Sequence, residues 1–300
     1  MIDPDFLEPA AQLDLRTRLR DGRPLLCVEL RPPRRDLEGL RAMEAWIDVY
    51  HAVRGVARKD TVVFLTDNAV GTGEEENLSH LLRNLGEDSR RERIVPFLTL
   101  KHSLDYCLNY AARLRAERFP GVVILGGDRH DGIPRCLPHA WQLREQIARR
   151  QPALQIGGWA NPYRDPDRQA GYLAEHAENL SFVLTQVVSH HDLAPVEAFL
   201  EAMARQRLEV PLIAGVFYYR SARRRTLELL EDFIPVPRTA LVEEFAAGSR
   251  PDDVAARTLR ALASVGITRY YVSNLPVTGL AARLEKLGTL AGLVSGKEAT

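Results

Sequence analysis

The feature that most constrains this chain is a repeated alternation of short apolar runs of strand length with longer stretches whose apolar residues recur at helical spacing. The first run, Leu25-Leu26-Cys27-Val28-Glu29-Leu30, stops on Pro32-Pro33, and the spacing then predicts a helix from Asp36 to Val53 and a strand from Thr61 to Thr66. A helix from Glu74 to Leu85, a strand from Ile94 to Leu100, a helix from Leu104 to Arg115 and a strand from Val122 to Leu125 continue the pattern. Further strands are expected near Leu154 to Trp159, Phe182 to Val187, Leu212 to Phe217 and Tyr270 to Ser273. Strands separated by helices pair in parallel through right-handed crossovers, and eight such units predict an α/β fold of the closed (β/α)8 type. A doubly wound open sheet is the alternative. Residues 1–22 are expected to form a leading helix closed by Gly22, residues 23–293 the barrel, and residues 294–300 a frayed tail. No Ser/Gly linker or low-complexity tract divides the chain, which predicts one domain. The connection from Ser221 to Asp253, with Pro235 and Pro237 inside it, is long enough for two helical pieces.

Charge and cysteine usage narrow the partners. Forty Lys and Arg balance forty Asp and Glu, so the chain as a whole offers no field that gathers nucleic acid or an anionic membrane. Nothing approaches the length of an apolar membrane span, and the start Met1-Ile2-Asp3-Pro4-Asp5 is too acidic and too weakly apolar to read as a signal peptide, so a soluble protein is expected. A small molecule becomes the expected partner. Cys27, Cys107 and Cys136 lack the paired spacing of a zinc or redox motif, and an odd count closes no disulfide framework, so the expected compartment is a reducing cytoplasm.

A (β/α)8 barrel carries its active site at the C-terminal ends of the strands, which turns the polar residues there into the candidate set. These are Glu29; Thr66, Asp67 and Asn68; Thr99 with Lys101 and His102; Asp128; Trp159 and Asn161; Thr185 and Gln186; Tyr218 and Tyr219; and Ser273 with Asn274. Glu29 stands out, because an apolar strand that ends on an acid and is stopped by Pro32-Pro33 places that acid at the rim of the fold. It reads as the centre of an active site, against the plainer alternative of a pair with Arg31 or Arg34. Asp128, after Gly126-Gly127, reads either as a turn residue or as a second functional carboxylate. Carboxylates that meet in one mouth can have their pKa values pushed apart, one kept as an acid and another ionised.

Several patterns are missing or misleading. There is no G-x-G-x-x-G after the first strand, no P-loop, no H-E-x-x-H and no paired cysteines. Gly71-Thr72-Gly73 looks like a phosphate loop, but Glu74-Glu75-Glu76 would repel an anion there. His190-His191-Asp192 reads as polar residues at a helix start, and no metal is assigned. Arg220, Arg223, Arg224 and Arg225 oppose the dipole of the helix they precede, unless an anion or the nearby Glu228 and Glu231 compensate them.

Four strand-end motifs in order then support a comparison. Val28-Glu29-Leu30-Arg31-Pro32-Pro33-Arg34, Leu98-Thr99, Leu125-Gly126-Gly127-Asp128 and Leu184-Thr185-Gln186 together resemble the opening, third, fourth and sixth strands of the methylenetetrahydrofolate reductase family. The resemblance implies a (β/α)8 barrel that reduces 5,10-methylenetetrahydrofolate to 5-methyltetrahydrofolate with a reduced nicotinamide cofactor, ordinarily through bound FAD. It implies that Glu29 is the general acid that opens the folate's five-membered ring, with Asp128 close to flavin and pterin. Gln186, Thr66, Asn68 and Tyr218 are the expected substrate-binding residues, and Thr99, Trp159 and Asn161 the expected cofactor-binding ones. The departures fall where the family holds its flavin: Phe97 replaces a histidine, Gly126 the arginine of Arg-Gly-Asp, Glu175 a lysine and Arg168 an aspartate. Losing two cations and gaining a carboxylate removes charge-assisted hydrogen bonds from a pyrophosphate site, so FAD is expected to bind weakly or not at all and NAD(P)H to donate hydride directly. A conventional flavoprotein and a non-catalytic folate-binding subunit of one-carbon metabolism are the alternatives.

Overall fold

Eight strands pair in parallel, each beside its neighbour in sequence, and the last closes on the first. The structure, a computed structural model, describes residues 14–33, 37–57, 59–66, 90–127 and 132–293. The strands are β1 (Leu25–Leu30), β2 (Val63–Leu65), β3 (Ile94–Thr99), β4 (Gly121–Leu125), β5 (Gln155–Ala160), β6 (Phe182–Val188), β7 (Leu212–Phe217) and β8 (Arg269–Ser273). Pairing of Leu25 with Arg269 and of Val28 with Val272 shuts the ring, which rules out the open doubly wound sheet. The described helices are α1 (Leu15–Arg20), α2 (Gly39–Ala57), α3 (Leu104–Ala116), α4 (Ala140–Arg150), α5 (Pro166–Ala174), α6 (Ala194–Arg205), α7 (Arg224–Glu231), α8 (Arg238–Ala246), α9 (Pro251–Ser264) and α10 (Leu280–Leu290). The expected helix from Glu74 to Leu85 lies outside the described residues.

Each strand is apolar on both faces because each face meets a core, and this is why the strands read as continuous apolar runs rather than alternating ones. Outward residues such as Val28, Val63, Leu98 and Val183 join the helix-packed layer. Inward residues such as Cys27, Phe64, Val95, Phe182, Ile213 and Tyr271 fill the barrel. Two glycines make room for the large rings inside. A Cβ on Gly157 would stand 2.4 Å from the Phe182 ring, and one on Gly215 would stand 2.5 Å from the Tyr271 hydroxyl. Side chains therefore close the barrel centre, leaving space for a ligand at one end.

The opposite end is plugged. Helix α1 sends Leu15 and Leu19, 2% and 1% exposed, into the interior cluster. Asp14 caps it, accepting from the Arg16 amide at 3.2 Å. Buried Arg18 locks the plug to the strand bottoms, pairing with Asp21 at 2.8 Å and Asp60 at 3.0 Å and donating to the Pro24 carbonyl at 2.7 Å. Stability thus concentrates at the N-terminal face, and chemistry is left to the other.

Between β7 and β8 the chain makes two helical pieces, α7 and α8, before α9, as expected from Pro235 and Pro237. Two of the arginines around the start of α7 have protein partners: Arg224 pairs with Glu228 at 2.7 Å, and the Arg220 Nε donates to the Asn274 carbonyl at 3.1 Å. Leu227 and Leu241 of these helices are fully buried beside Phe217 and Tyr219, which seats the insertion over one side of the barrel mouth.

Candidate active site

A cavity of about 500 Å³ opens at the C-terminal ends of the strands. Strand pairing fixes its wall: Glu29, Thr66, Phe97, Leu125, Trp159 and Gln186 are supplied by or just after successive strands. Phe217 and Ser273 complete the ring, and Tyr271 forms the floor. The sequence candidates Glu29, Thr66, Trp159 and Gln186 therefore meet in one place. Asp128 and Asn68 lie outside the described residues.

Three other candidates are placed elsewhere. Tyr218 points away from the cavity into the layer behind the sheet, where its hydroxyl donates to Asp252 at 2.6 Å and accepts from Arg283 at 2.9 Å. Burial, and then the Asp252 carboxylate, push its pKa up to about 12. It sits one residue past Phe217, and strand alternation sends it to the other face. Thr99 is buried outside the cavity lining, with its carbonyl facing the Cys107 thiol. Asn161 serves its own loop: its Oδ1 accepts from the Tyr163 amide at 3.0 Å, while its amide donates to Gln169 at 2.9 Å. Tyr218, Thr99 and Asn161 thus lie outside the lining of this cavity, Tyr218 and Asn161 with their side chains engaged by rear-face and local partners.

Glu29 is 8% exposed, and one of its oxygens accepts from the Ser273 hydroxyl at 2.7 Å. Burial raises its pKa above the ordinary carboxylate value, against the opposing pull of the Ser273 hydrogen bond and the Arg31 charge. The group is therefore biased toward the protonated form at the inner end of a solvent-connected cavity. That is the requirement for a general acid. Below it the Tyr271 phenol donates to the Thr185 carbonyl at 2.7 Å and is held neutral, its pKa well above the usual value through burial and the adjacent Glu29.

Gln186 reaches the cavity through a β-bulge. The β6–β7 register shifts between Leu184 and Val187, and the hydroxyl of Thr185 accepts the Gly215 amide at 3.0 Å in place of a ladder carbonyl. The extra residue lets both Gln186 and Val187 face the mouth. The Gln186 amide is held in turn, its Oε1 accepting from the Val187 amide at 2.9 Å.

Aromatic rings form much of the remaining wall. Phe97 meets Trp159 edge-on at 6.3 Å, and Trp159 lies 6.4 Å from Tyr271. Leu230, Ile234 and the 58% exposed Phe233, from the end of α7 and the turn after it, extend an apolar flap over the opening. Cations enter on the other side. Gly126, where the family motif carries arginine, has its space filled by Arg135: a Cβ there would stand 2.9 Å from the guanidinium, which donates to the Gly127 carbonyl at 2.6 Å. Arg135 and Arg31 both border the cavity. The sequence pattern does not point to Arg135, since it lies ten positions beyond the last residue of β4, past the Gly126-Gly127-Asp128 motif; the length of that connection is its single signal.

The cysteines are free, and burial pushes the Cys27 thiol inside the barrel up to about 12, so it is no nucleophile. No helix among the described residues is long and apolar enough to cross a membrane.

Comparison with protein-family models and with curated proteins gives no match. Among solved structures, an uncharacterized protein from Clostridium thermocellum that binds two copies of 5-methyl-5,6,7,8-tetrahydrofolic acid superposes with a TM-score of 0.67, covering 94% of this chain and 100% of its own at 15% identity. At that identity the likeness establishes the shared barrel.

Proposed function

We propose that this chain binds a reduced folate in the strand-end cavity and reduces 5,10-methylenetetrahydrofolate to 5-methyltetrahydrofolate with NAD(P)H. The observation that carries the reading is Glu29, a buried carboxyl group biased toward its protonated form within an aromatic-walled cavity. The folate ligand of the structurally similar clostridial protein supports the substrate class. The four ordered strand-end motifs support the reaction.

In this reading the folate's pterin lies against Trp159 and Phe97, whose ring geometry offers flat apolar surface, and Gln186 presents its amide to the pterin edge. Glu29 gives its proton to the ring nitrogen that leaves the methylene carbon. The carbon–nitrogen bond breaks, and the other ring nitrogen shares its electron pair with that carbon to form an iminium. Hydride then moves with its two electrons from the nicotinamide to the iminium carbon, which becomes the methyl group while the nicotinamide is oxidised. Glu29 regains a proton from solvent. Both reactants must occupy the mouth together for this step, so it gains from proximity within a confined site.

A flavin dinucleotide fits these residues poorly. The position of the motif arginine is Gly126, and the guanidinium that fills its space is tied to the Gly127 carbonyl. Exposed Glu175 at the end of α5 places a carboxylate where the family carries a lysine. No step is therefore routed through FAD.

The test is the spectrum of freshly purified protein followed by initial rates of NAD(P)H oxidation with and without methylenetetrahydrofolate. Folate-dependent oxidation in a colourless protein, with intersecting double-reciprocal lines, is the expected result. Flavin absorbance with ping-pong kinetics would instead establish the conventional flavoprotein, and folate binding without oxidation would leave a binding protein.

A further inference from the structure

Behind the flap, outside the catalytic cavity, two adjacent histidines converge on one carboxylate. His190 and His191 stand in the turn after β6, and Glu244 reaches them from α8. The imidazole Nε2 atoms lie 3.5 Å and 3.0 Å from the same oxygen, Glu244 Oε2. Two donors at tetrahedral angles, each about 2.0–2.2 Å from a shared ion, stand roughly 3.4 Å apart. The two imidazole-to-carboxylate distances bracket that spacing, and all three ligand atoms lie within 4.8 Å of one another.

The outer contacts orient all three groups. His191 Nδ1 is 2.8 Å from the Ser189 hydroxyl, and His190 Nδ1 is 2.9 Å from the Thr258 hydroxyl of α9. The Thr258 hydroxyl also back-bonds to the Val254 carbonyl at 3.3 Å. It has one proton, so when that proton serves Val254 the contact to His190 is made by the imidazole N–H. His190 Nε2 then carries a lone pair and faces the carboxylate. Glu244 is held from the other side by Arg257 on Oε1, and Arg257 is itself braced by the Ser249 hydroxyl at 3.0 Å. Its Oε2, in a side chain only 9% exposed, is buried against the two imidazole Nε2 atoms and makes no aligned hydrogen bond. A lone pair aimed at a buried, unsatisfied carboxylate oxygen is unfavourable until a cation lies between them.

We propose that His190, His191 and Glu244 form a binding site for a divalent transition-metal ion, with two imidazole nitrogens and one carboxylate oxygen as protein ligands. This donor set suits zinc or iron(II) rather than calcium or magnesium, and water completes the coordination. The hydroxyls of Ser189 and Thr258 act from outside by fixing the rings, as groups behind metal-bound histidines commonly do. The ion ties the turn after β6 to α8, the helix that follows the flap residues Leu230, Phe233 and Ile234. The expectation of no metal, drawn from His190-His191-Asp192 alone, is thereby revised: the third ligand is remote in sequence.

The full-length protein, stripped with chelator, is titrated with zinc chloride by calorimetry. One equivalent is expected to bind and to raise the melting temperature. His191→Gln and Glu244→Gln should each weaken binding by roughly 10-fold to 100-fold or more, since losing even an outer-shell partner commonly costs that much. Absence of saturable zinc binding, or equal binding by the folded variants, overturns the site. Cobalt(II) added to the unmodified protein gives a readout that needs no variant. Ligand-field bands without a thiolate charge-transfer band support nitrogen and oxygen ligation, whereas a strong charge-transfer band puts the ion on Cys107 or Cys136 and refutes the proposal.

Discussion

Glu29→Gln separates the proton from everything else Glu29 does. The amide occupies the same volume, and its oxygen can still accept from the Ser273 hydroxyl that now stands 2.7 Å from Oε1. The hydrogen bond and the packing should therefore survive, and the transferable proton is what is lost. A positioned general acid contributes about 10²-fold to 10⁴-fold, so turnover should fall by that factor, or ~2.7–5.4 kcal/mol of barrier. Folate affinity should change little. Stability carries an independent signature. Glu29 has a folded pKa raised by burial above its ordinary 4.5, so its contribution is fully present below that value and is lost as pH rises through the folded one. Gln cannot titrate. The variant's melting temperature should gain on the parent's as pH is raised from the acid range to neutrality, and the two should run parallel where Glu29 is protonated in both states. Turnover by nicotinamide absorbance and melting by circular dichroism across pH provide the two assays. Unchanged turnover removes Glu29 from the mechanism, and a melting difference constant with pH removes the raised pKa.

Three further changes probe the surroundings of that acid. Ser273→Ala deletes a hydrogen bond that lowers the Glu29 pKa, so the alkaline limb of the rate profile should move to higher pH, with a stability loss of about 1 kcal/mol; a limb moving to lower pH would contradict the assignment. Gly215→Ala places a Cβ 2.5 Å from the Tyr271 hydroxyl, which is pinned to the Thr185 carbonyl, and should cost about 1–3 kcal/mol in denaturant unfolding. Full stability there would mean that the barrel centre is looser than its contacts indicate. Tyr218→Phe removes the 2.6 Å bond to Asp252, which Lys286 still holds at 2.6 Å, and should lower stability by about 1–3 kcal/mol while leaving KM for folate unchanged. A selective rise in KM would restore Tyr218 to the substrate site.

The fate of the sequence candidates follows from which interactions are local. Glu29, Thr66, Trp159 and Gln186 line one cavity because a strand end in a barrel has one address, and an acid before Pro32-Pro33 announces it. Tyr218 faces the rear layer by one residue of strand alternation, a choice the sequence leaves open because Phe217 and Tyr218 are both apolar enough to face either core. Thr99 and Asn161 occupy the right end of the fold, yet Thr99 is buried outside the cavity lining with its carbonyl facing the Cys107 thiol, and Asn161 serves a local turn. Arg135 was signalled by no more than the length of its connection, because its place over Gly126 depends on how that connection folds back.

The order of elements, the apolar runs and the rim position of Glu29 were determined by the sequence itself, because periodicity and proline act over a few residues. Ring closure by β1 and β8, the bulge that turns Gln186 inward, the Ser273 contact to Glu29 and the meeting of His190 and His191 with Glu244 were decided by tertiary structure alone. Each joins residues distant along the chain, and the burial that shifts a carboxyl group or strands a carboxylate oxygen exists once the packed layers around it are in place.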